Sequence, residues 1–509
     1  MRKFCRVFLS RYAVSAILIL LDIAFIALSG IYLSSLFPWL MVTALVVDVL
    51  VFFHLVGRDT NPEYKVPWML VILLMPYFGV LLYVLFFTRK LTRTERRQLK
   101  KIAAFTPSAT VRTAEIDRLS AEDAGAAGRA LAILNDDPSA VVYRHTEATY
   151  FDDGEDMFRA MLADLRTAEN FIFIETFIIE GGVMWTAVHD ILRQKLAAGV
   201  EVRLLYDDIG CMSTLPSHYY ALLRVEGIKA YPVSKVSPQV TVAHNHRDHR
   251  KIMVVDGKVA YTGGINIADE YIHAKTRFGV WKDGGIRLSG AAVDGLTRLF
   301  LATFDLTART LTDPAFYSPS HPATDAPGYY IPFGSGPLPL YRTSVGKNAF
   351  LNLINRATDY LYVTTPYLIM DYDLTEAFCN AARRGADVRI FTPHVPDKPL
   401  ILFMTRSAYP HLIEAGVRIF EYTPGFLHEK VLVTDDAYAI VGTINLDYRS
   451  FAHHFEDAVW MYRTPAVAAI REGVMKTLHY SEEITAEDAR LSVPKRAVRN
   501  LIRLFAPLL

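Results

Sequence analysis

The segment His249–Asn266, HRKIMVVDGKVAYTGGIN, has a close counterpart about 180 residues further along the chain, His428–Asn445, HEKVLVTDDAYAIVGTIN. Each segment has the pattern His-x-Lys, four residues and Asp, followed by Gly-Gly or Gly-Thr and then Ile-Asn. From ordinary residue usage, one chance occurrence of His-x-Lys-x4-Asp in this length has odds on the order of one in ten or less. Two occurrences, each with its own asparagine, therefore indicate an internal duplication.

The sequence around these segments repeats in the same order. The strand-like runs Gly199–Tyr206 and Gly385–Thr392 each follow a helix-like stretch, and Gly227–Tyr231 then corresponds to Gly416–Phe420. Strands that alternate with helices are typical of an α/β fold. The period is too long for a solenoid, whose repeats have about 20–50 residues. We therefore predict two homologous α/β units related by approximate two-fold symmetry, so that equivalent residues can meet at their interface.

The chain divides into six predicted regions. They are a membrane region at 1–91, a helical linker at 92–140, the first α/β unit at 141–306, a Pro- and Gly-rich connection at 307–340, the second α/β unit at 341–485 and a basic amphipathic C-terminal helix at 486–509. The C-terminal helix interleaves basic and apolar residues, a pattern typical of helices that lie on an anionic membrane surface. Ordinary packing on the enzyme is an equally open reading of it.

Three apolar stretches open the chain, at about 12–33, 36–56 and 67–87. Each is close to the ~20 residues that a helix needs to cross a bilayer. Basic clusters flank the region on both sides, and three full crossings cannot keep both clusters in the cytoplasm. Either the third stretch, with Pro76 and Gly79 at its centre, enters the membrane without crossing it, or the weaker N-terminal cluster lies outside. Both alternatives place the remaining chain in the cytoplasm.

Composition excludes several other classes of protein. The net charge is +1 at pH 7, which predicts no long-range attraction to nucleic acid. The three cysteines lie far apart, so neither a disulfide framework nor a zinc site is indicated. His244 and His246 have no acid or cysteine at ligand spacing, and we treat them as loop residues. No metal and no cofactor are predicted.

The spacing within each segment predicts a shared catalytic surface. His249 and Lys251 are two residues apart, so on a strand their side chains project from the same face, as do those of His428 and Lys430. Turn residues follow each strand, and a returning strand brings the terminal asparagine of each segment back towards its histidine. Each unit then presents an imidazole, an ammonium group and an amide together.

Two such sets suit phosphodiester chemistry. A neutral imidazole can attack phosphorus to form a phosphohistidine, and a second, protonated imidazole can donate to the leaving alkoxide. Ammonium and amide groups can stabilise the phosphoryl oxygens, so no metal is required. The predicted catalytic residues are His249, Lys251, Asp256, His428, Lys430 and Asp435, with support from Asn266, Asn445, Asp283 and Glu456.

A carboxylate bonded to Nδ1 would hold each imidazole in the required tautomer. Asp256, Asp435, Asp283 and Glu456 are the candidates, and the sequence does not assign them to particular histidines. Asp256 and Asp435 stand at turn signals that close the hairpins. For these two, a structural role in the hairpin and a direct catalytic role both stay open.

The two segments resemble the HKD motifs of the phospholipase D superfamily, and the chain as a whole is most similar to the bacterial cardiolipin synthases. Asn61–Lys65 and Pro76–Gly79 resemble the membrane module of that family, and Asn445–Phe451 resembles part of its second catalytic unit. The resemblance implies two phospholipase D-like domains with mixed β-sheets flanked by helices, preceded by N-terminal membrane helices. It also implies that His249 forms a phosphatidyl-histidine and that His428 protonates the leaving glycerol.

The implied substrates are membrane phospholipids, two phosphatidylglycerols giving cardiolipin and glycerol. The implied location is the bacterial plasma membrane, with several crossings and the catalytic domains on the cytoplasmic side. Alternatives are the same chemistry with water or another headgroup alcohol as acceptor, and a phosphodiesterase acting on nucleic acid. The near-neutral charge argues against nucleic acid, because strong binding to its backbone needs a basic face. A non-enzymatic membrane scaffold has no use for two complete His-Lys-Asn sets.

Overall fold

A computed structural model describes residues 20–21, 23–24, 27–28, 37–59, 61–75, 78–86, 92–235, 246–337, 341–490 and 492–508. The chain divides into two compact units by its internal contacts. The helical unit consists of Met1–Lys90, Val236–Asn245 and Val493–Leu509, and the catalytic unit consists of Leu91–Lys235 and His246–Ser492.

The described residues of the helical unit form helices, whereas those of the catalytic unit form both helices and strands. The helices are α1 Phe37–Val56, α2 Pro62–Leu74, α3 Phe78–Phe86, α4 Arg93–Ile102, α5 Ala109–Arg112, α6 Ile116–Glu122, α7 Ala124–Asp136, α8 Gly154–Thr167, α9 Val183–Ala197, α10 Tyr219–Val225, α11 Val293–Ala308, α12 Val345–Arg356, α13 Tyr372–Arg383, α14 Pro399–Glu414, α15 Tyr448–Ala452, α16 Pro465–Leu478 and α17 Val493–Phe505. The strands are β1 Thr146–Phe151, β2 Phe171–Thr176, β3 Glu201–Asp207, β4 Lys229–Val233, β5 Arg247–Asp248, β6 Ile252–Val255, β7 Val259–Gly263, β8 Gly285–Gly290, β9 Tyr329–Ser335, β10 Tyr360–Thr364, β11 Leu368–Ile369, β12 Asp387–Pro393, β13 Arg418–Tyr422, β14 Val431–Thr434, β15 Tyr438–Gly442, β16 Leu446–Asp447, β17 His454–Tyr462 and β18 Ser481–Ile484.

In the helical unit, α1 coincides with the second apolar stretch. Its segment Pro38–Val56 has a mean hydropathy of 2.3 and, among the described residues, is the one helix long and apolar enough to cross a membrane. That criterion rests on length and composition alone. Most of the first apolar stretch, 12–33, lies outside the described residues, so the number of crossings stays a prediction.

The third apolar stretch forms two short helices, α2 and α3, instead of one long helix. They pack closely, because a Cβ at Gly79 would lie 2.6 Å from the carbonyl oxygen of Val71. Trp68, Ile72 and Leu82 are buried in the apolar cluster of this hairpin. At 1.5 Å per residue neither helix alone covers the ~30 Å hydrocarbon core, which favours the alternative in which this stretch does not cross.

The first half of the catalytic unit contains a seven-stranded sheet in the order β1-β8-β7-β6-β2-β3-β4. Strands β2, β3 and β4 are parallel, whereas β6, β7 and β8 run antiparallel to their neighbours. In the second half, the order β17-β15-β14-β10-β12-β13 repeats the order β8-β7-β6-β2-β3-β4, with β9 beside β17 as β1 is beside β8. The strand orders therefore confirm the duplicated α/β fold with mixed sheets.

The two halves share one apolar core. Phe173 and Val254 of the first sheet and Val433 and Val459 of the second belong to the same buried cluster, together with Phe300 of α11. The strands β2 and β10 are buried along their whole length, as expected for sheets covered on both faces. This packing brings the two halves together along the line where the duplicated segments meet.

Two predicted connecting regions contribute more to the catalytic unit than the sequence suggested. Within 92–140, the predicted linker, Leu119 and Ile133 are buried in the core of the second half. Within 307–340, the predicted connection, β9 is a full strand of the second sheet, and its seven residues are all buried. The weak periodicity of the first region and the prolines and glycines of the second concealed this packing.

Candidate active site

Each histidine segment is held at its start by backbone bonds to the opposite half. Strand β5 pairs in parallel with the beginning of β17, and the backbone N–H of His249 donates to the carbonyl oxygen of Phe455 at 2.8 Å. In the other direction, Lys282 forms a parallel bridge with Leu427, and the backbone N–H of His428 donates to the carbonyl oxygen of Lys282 at 2.7 Å. Both imidazoles are therefore fixed where the halves cross.

The carboxylate partners of the histidines also come from the opposite half. Nδ1 of His249 lies 2.9 Å from one carboxylate oxygen of Glu456, and Nδ1 of His428 lies 2.6 Å from an oxygen of Asp283. An ionised carboxylate only accepts hydrogen bonds, so each Nδ1 carries the proton and each Nε2 keeps its lone pair. The sequence named both acids as candidates, and the geometry pairs each with one histidine.

The two lysines fold back onto their own segments. Lys251 Nζ donates to the carbonyl oxygen of His249 at 2.6 Å, and Lys430 Nζ donates to that of His428. The expectation that each histidine and lysine lie on a strand is wrong, since β6 begins at Ile252 and β14 at Val431, each directly after the lysine. Burial lowers the pKa of Lys251 to about 8 and the pKa of Lys430 to about 7. A bound phosphate anion would raise both values again, because an opposite charge favours the ammonium form.

The electrostatics of the histidines indicate one shared site. Burial lowers the pKa of His249 well below 6.5, and the charges of Lys251 and Lys430 lower it further. Burial lowers the pKa of His428 to about 4, with contributions in the same direction from both lysines. Each lysine thus acts on the histidine of the other segment. Both imidazoles are neutral at pH 7 without substrate.

The asparagines have unequal surroundings. Asn266 accepts from the backbone N–H of Ile178 at 3.0 Å and donates to the hydroxyl of Tyr271 at 2.6 Å. The ring of Tyr271 lies 5.6 Å from that of His428, so Asn266 also supports the aromatic wall of the site. The side-chain oxygen of Asn445 is buried and has no hydrogen-bond partner among the described residues. A role of both amides towards phosphoryl oxygens stays a prediction.

Asp256 and Asp435 are not brought to the histidines. Each follows the four-residue strand β6 or β14, which places it about 13 Å further along the sheet. Both have a left-handed backbone conformation, with φ of 51° and 53°. Asp256 accepts from three successive backbone N–H groups at the start of β2, the last being that of Phe171 at 2.8 Å. Asp435 does the same at the start of β10, ending with Tyr360 at 3.0 Å. Of the two roles left open by the sequence, this geometry favours the structural one.

Asp435→Ala is therefore expected to destabilise the catalytic unit by roughly 2–4 kcal/mol, because it leaves backbone donors without their acceptor. Although burial opposes it, the backbone N–H of Tyr360 and its two predecessors lower the pKa of Asp435 below 3.8. Its contribution is present above that pH and is lost as the pH falls through the lowered pKa. Urea unfolding at several pH values measures this, with exposed Asp359→Ala as control. A large loss of kcat in folded Asp435→Ala protein would instead support direct catalysis.

Family models match most of the regions that build this geometry. The family described as "Cardiolipin synthase, PLD-like domain" matches residues 161–278 and 350–476, and "Phospholipase_D-nuclease N-terminal" matches residues 46–86. A cardiolipin synthase of Halalkalibacterium halodurans is 31% identical over 496 residues, which cover 94% of this chain and 97% of that protein. This chain belongs to the cardiolipin synthase family of the phospholipase D superfamily.

Other relatives agree with this membership. A cardiolipin synthase of Alkalihalophilus pseudofirmus is 31% identical over 509 residues, covering 96% of this chain and 99% of that protein. An uncharacterized protein of Streptococcus mutans serotype c is 42% identical over 369 residues, covering 72% of this chain and 80% of that protein. The solved phosphatidylserine synthase of Haemophilus influenzae has a TM-score of 0.53 with 14% identity, covering 71% of this chain and 93% of that one. At this identity, that likeness concerns the fold alone.

In this member of the cardiolipin synthase family, Thr443 lies beside the pair formed by His249 and Glu456, and sequence reasoning gave it no catalytic role. The hydroxyl of Thr443 donates to Glu456, which also contacts Nδ1 of His249. The equivalent position in the first segment is Gly264, where a Cβ would lie 2.0 Å from a carboxylate oxygen of Asp283. The first segment has Gly-Gly where the second has Gly-Thr. This difference in the sequence was therefore a signal that Glu456 has a hydroxyl donor beside it and that Asp283 does not have one at the equivalent position.

Two groups of described side chains bring potential metal ligands within 4.8 Å of one another, His249 with His454 and Glu456, and Glu376 with Cys379 and His411. In the first group, Nδ1 of His249 lies 2.9 Å from Glu456, so these two potential ligands already bind each other. In the second, Arg383 lies 3.4 Å from Glu376 and its charge opposes a cation.

The two histidines that the sequence placed in a loop belong to neither group. His246 is buried with Nδ1 3.1 Å from a backbone carbonyl oxygen, and His244 lies outside the described residues. Metal-free chemistry stays a prediction.

Proposed function

We propose that this chain is a cardiolipin synthase, which transfers a phosphatidyl group from one phosphatidylglycerol to another and releases glycerol. The observation that carries the proposal is the pair of buried histidines, each with Nδ1 bonded to a carboxylate of the opposite half and Nε2 left to react. The names of the relatives from Halalkalibacterium halodurans and Alkalihalophilus pseudofirmus support the choice of reaction.

In the first step, the Nε2 lone pair of His249 forms a bond to phosphorus of the donor phosphatidylglycerol. The phosphorus–oxygen bond to its glycerol headgroup breaks, and Nε2–H of His428 transfers a proton to the leaving oxygen. The bound phosphodiester anion favours the imidazolium form of His428 that this step needs. In the second step, neutral His428 accepts the proton from a hydroxyl of the second phosphatidylglycerol. That oxygen attacks phosphorus, and the phosphorus–nitrogen bond to His249 breaks.

The remaining predicted site residues stabilise the charge that develops on the phosphoryl oxygens. Lys251 and Lys430 are buried cations on the two sides of the site, and buried charges act more strongly than charges in water. Asn445 offers an amide, and its NH₂ group is the end that can donate to a phosphoryl oxygen. Glu456 and Asp283 keep the proton on Nδ1 of their histidines and balance the positive charge when the imidazole reacts.

The direct test uses purified, detergent-solubilised protein with phosphatidylglycerol as the only lipid, in the presence of a chelator, with all lipid products resolved. We expect cardiolipin and free glycerol in equal amounts, at a rate that added chelator does not change. Phosphatidic acid as the main product would make this protein a hydrolase with the same two-histidine mechanism. Loss of turnover in the chelator, restored by a divalent cation, would contradict metal-free chemistry.

We also propose that the catalytic unit faces the cytoplasm from a plasma-membrane anchor. Val225 is 89% exposed on the catalytic unit, whereas Cys211 and Cys379 are buried. In a Cys5→Ser background, Val225→Cys is expected to react with a membrane-impermeant maleimide only after the cells are lysed. The Cys5→Ser protein without the new cysteine is the control. Labelling of Val225→Cys in intact cells would place the catalytic unit outside.

A further inference from the structure

The two reactive histidines have equivalent positions but different neighbours. Gly263 of β7 pairs with Gly285, and Gly442 of β15 pairs with Ala458. Asp283 lies two residues before Gly285, and Glu456 lies two residues before Ala458. The two carboxylates are therefore in equivalent positions. The same register makes Trp281 and His454 equivalent, since each lies two residues before its carboxylate. The ring of Trp281 lies 5.4 Å from that of His428, and the ring of His454 lies 5.4 Å from that of His249.

One reactive histidine is therefore flanked by an indole and the other by a third imidazole. His454 is 8% exposed, and its Nε2 is 3.2 Å from Nε of Arg449. A guanidinium group only donates, so Nε2 of His454 is the acceptor and its proton is on Nδ1. Burial lowers the pKa of His454 to about 3, which agrees with a neutral ring.

The protonated nitrogen of His454 lies close to the carboxylate that holds the other imidazole. Nδ1 of His454 lies 3.5 Å from one oxygen of Glu456 and has no hydrogen-bond partner among the described residues. The same carboxylate already contacts Nδ1 of His249 and the hydroxyl of Thr443. A shift of a few tenths of an ångström would bring Nδ1 of His454 within hydrogen-bond distance of Glu456. The corresponding carboxylate, Asp283, has no imidazole beside it other than His428 among the described contacts.

We propose that His454 is a positioning residue for the nucleophile: its Nδ1–H holds the carboxylate of Glu456 in its orientation towards Nδ1 of His249 while His249 forms the bond to phosphorus. When Nε2 of His249 gives its lone pair to phosphorus, the ring becomes positively charged and the proton on Nδ1 becomes more acidic. A carboxylate held by Thr443 and His454 stays aligned with that proton and faces the positive ring. The facing carboxylate stabilises the charge on the ring while the bond from Nε2 to phosphorus forms.

This arrangement also distinguishes the two histidines. Only His249 has a carboxylate with a neutral imidazole as an additional donor, whereas His428 is flanked by the apolar face of Trp281. In the covalent intermediate, the ring of His249 carries a lasting positive charge. Its carboxylate partner, Glu456, is also the one with an additional donor beside it. The inference rests on the proposed function, because it assumes that His249 is the nucleophile.

The test measures formation and breakdown of the phosphatidyl-enzyme separately, by rapid quenching with phosphatidylglycerol labelled in the phosphate. We compare His454→Phe, which keeps a ring and loses the donor, with His454→Asn, which keeps an N–H donor. Trp281→Phe is the matched variant at the equivalent position beside His428. We expect His454→Phe to slow formation of the intermediate about tenfold or more, the worth of a hydrogen bond to a charged group, with KM unchanged. His454→Asn should restore most of that rate.

Three results would overturn the proposal. They are an unchanged rate of formation in His454→Phe, an equal loss in His454→Asn, and an equal slowing of formation and breakdown in His454→Phe. The proposed acceptor is judged separately, because a wild-type protein that makes phosphatidic acid still forms the intermediate and still tests His454. Absence of any phosphatidyl-enzyme in the wild type, despite turnover, would overturn both the role of His454 and that of His249.

Discussion

His249→Gln is expected to lower kcat for phosphatidyl transfer on the order of 10⁵-fold, because glutamine cannot form the bond to phosphorus. His428→Gln is expected to lower kcat on the order of 10³- to 10⁴-fold, because the glycerol oxygen would leave without a proton. Both histidines are buried at the crossing of the halves, so neither loss can be replaced by the other residue. Steady-state assays of cardiolipin formation measure both effects.

A substrate with a better leaving group separates the two roles. The p-nitrophenyl ester of phosphatidic acid releases an anion that needs no proton. His428→Gln should therefore regain rapid release of p-nitrophenol in a single burst, whereas His249→Gln should release none. Exposed His479→Gln is the matched control and should retain normal activity with both substrates. If His428→Gln shows no burst while His249→Gln does, the two roles are reversed, and near-normal activity of either variant would rule out a shared site.

That each histidine lies close to its lysine could be predicted because the two are only two residues apart, although β6 and β14 begin after the lysines. Lys251 and Lys430 both reach back to the carbonyl oxygen of the histidine two residues earlier. The duplication could be predicted for a similar reason, since the order of strands follows the order of the repeated segments. Internal repetition therefore carried the fold class, whereas the roles of the site residues stay predictions.

The assignment of carboxylates could not be predicted, because each partner comes from the other half. Glu456 is 207 residues from His249, and Asp283 is 145 residues from His428. No local pattern connects positions so far apart, and the nearby Asp256 stood in a more conspicuous motif. The sequence shows that Asp256 follows a short strand. Only the structure shows that its carboxylate accepts hydrogen bonds from backbone N–H groups at the start of β2.

The boundaries of the catalytic unit escaped sequence reasoning for a different reason. Helix α7 is Ala-rich, so its buried face carries little hydrophobic contrast, yet Ala126 and Ala130 are fully buried against the second half. Small residues bury little area each and give a weak periodic signal, although they allow close packing. His454 was overlooked because a histidine in a strand has no signature until its neighbours are known.

The second large effect is expected from the carboxylates. Asp283→Asn and Glu456→Gln keep the shape of each side chain but remove the charge that faces Nδ1. An amide can turn its NH₂ group towards the ring, which would shift the imidazole proton to Nε2 and block the reactive nitrogen. Comparable tautomer losses in serine proteases lower kcat about 10⁴-fold, and we expect on the order of 10³-fold or more here. KM for phosphatidylglycerol should change little, because neither carboxylate is placed to contact the lipid.

A control substitution removes a different buried charge. It distinguishes the expected loss of kcat from general damage to the fold. Glu421 is fully buried in the same half as Glu456 and accepts hydrogen bonds from Arg406, with Oε1 2.7 Å from Nε. Glu421→Gln should lower the stability of the protein, because it weakens the hydrogen bonds that this buried carboxylate accepts, while kcat of the folded protein stays close to normal. Thermal unfolding and kcat measured on the same preparations separate the two effects. Equal losses of kcat in Glu421→Gln and Glu456→Gln would mean that the carboxylates act on the fold, and the tautomer mechanism would then have to be abandoned.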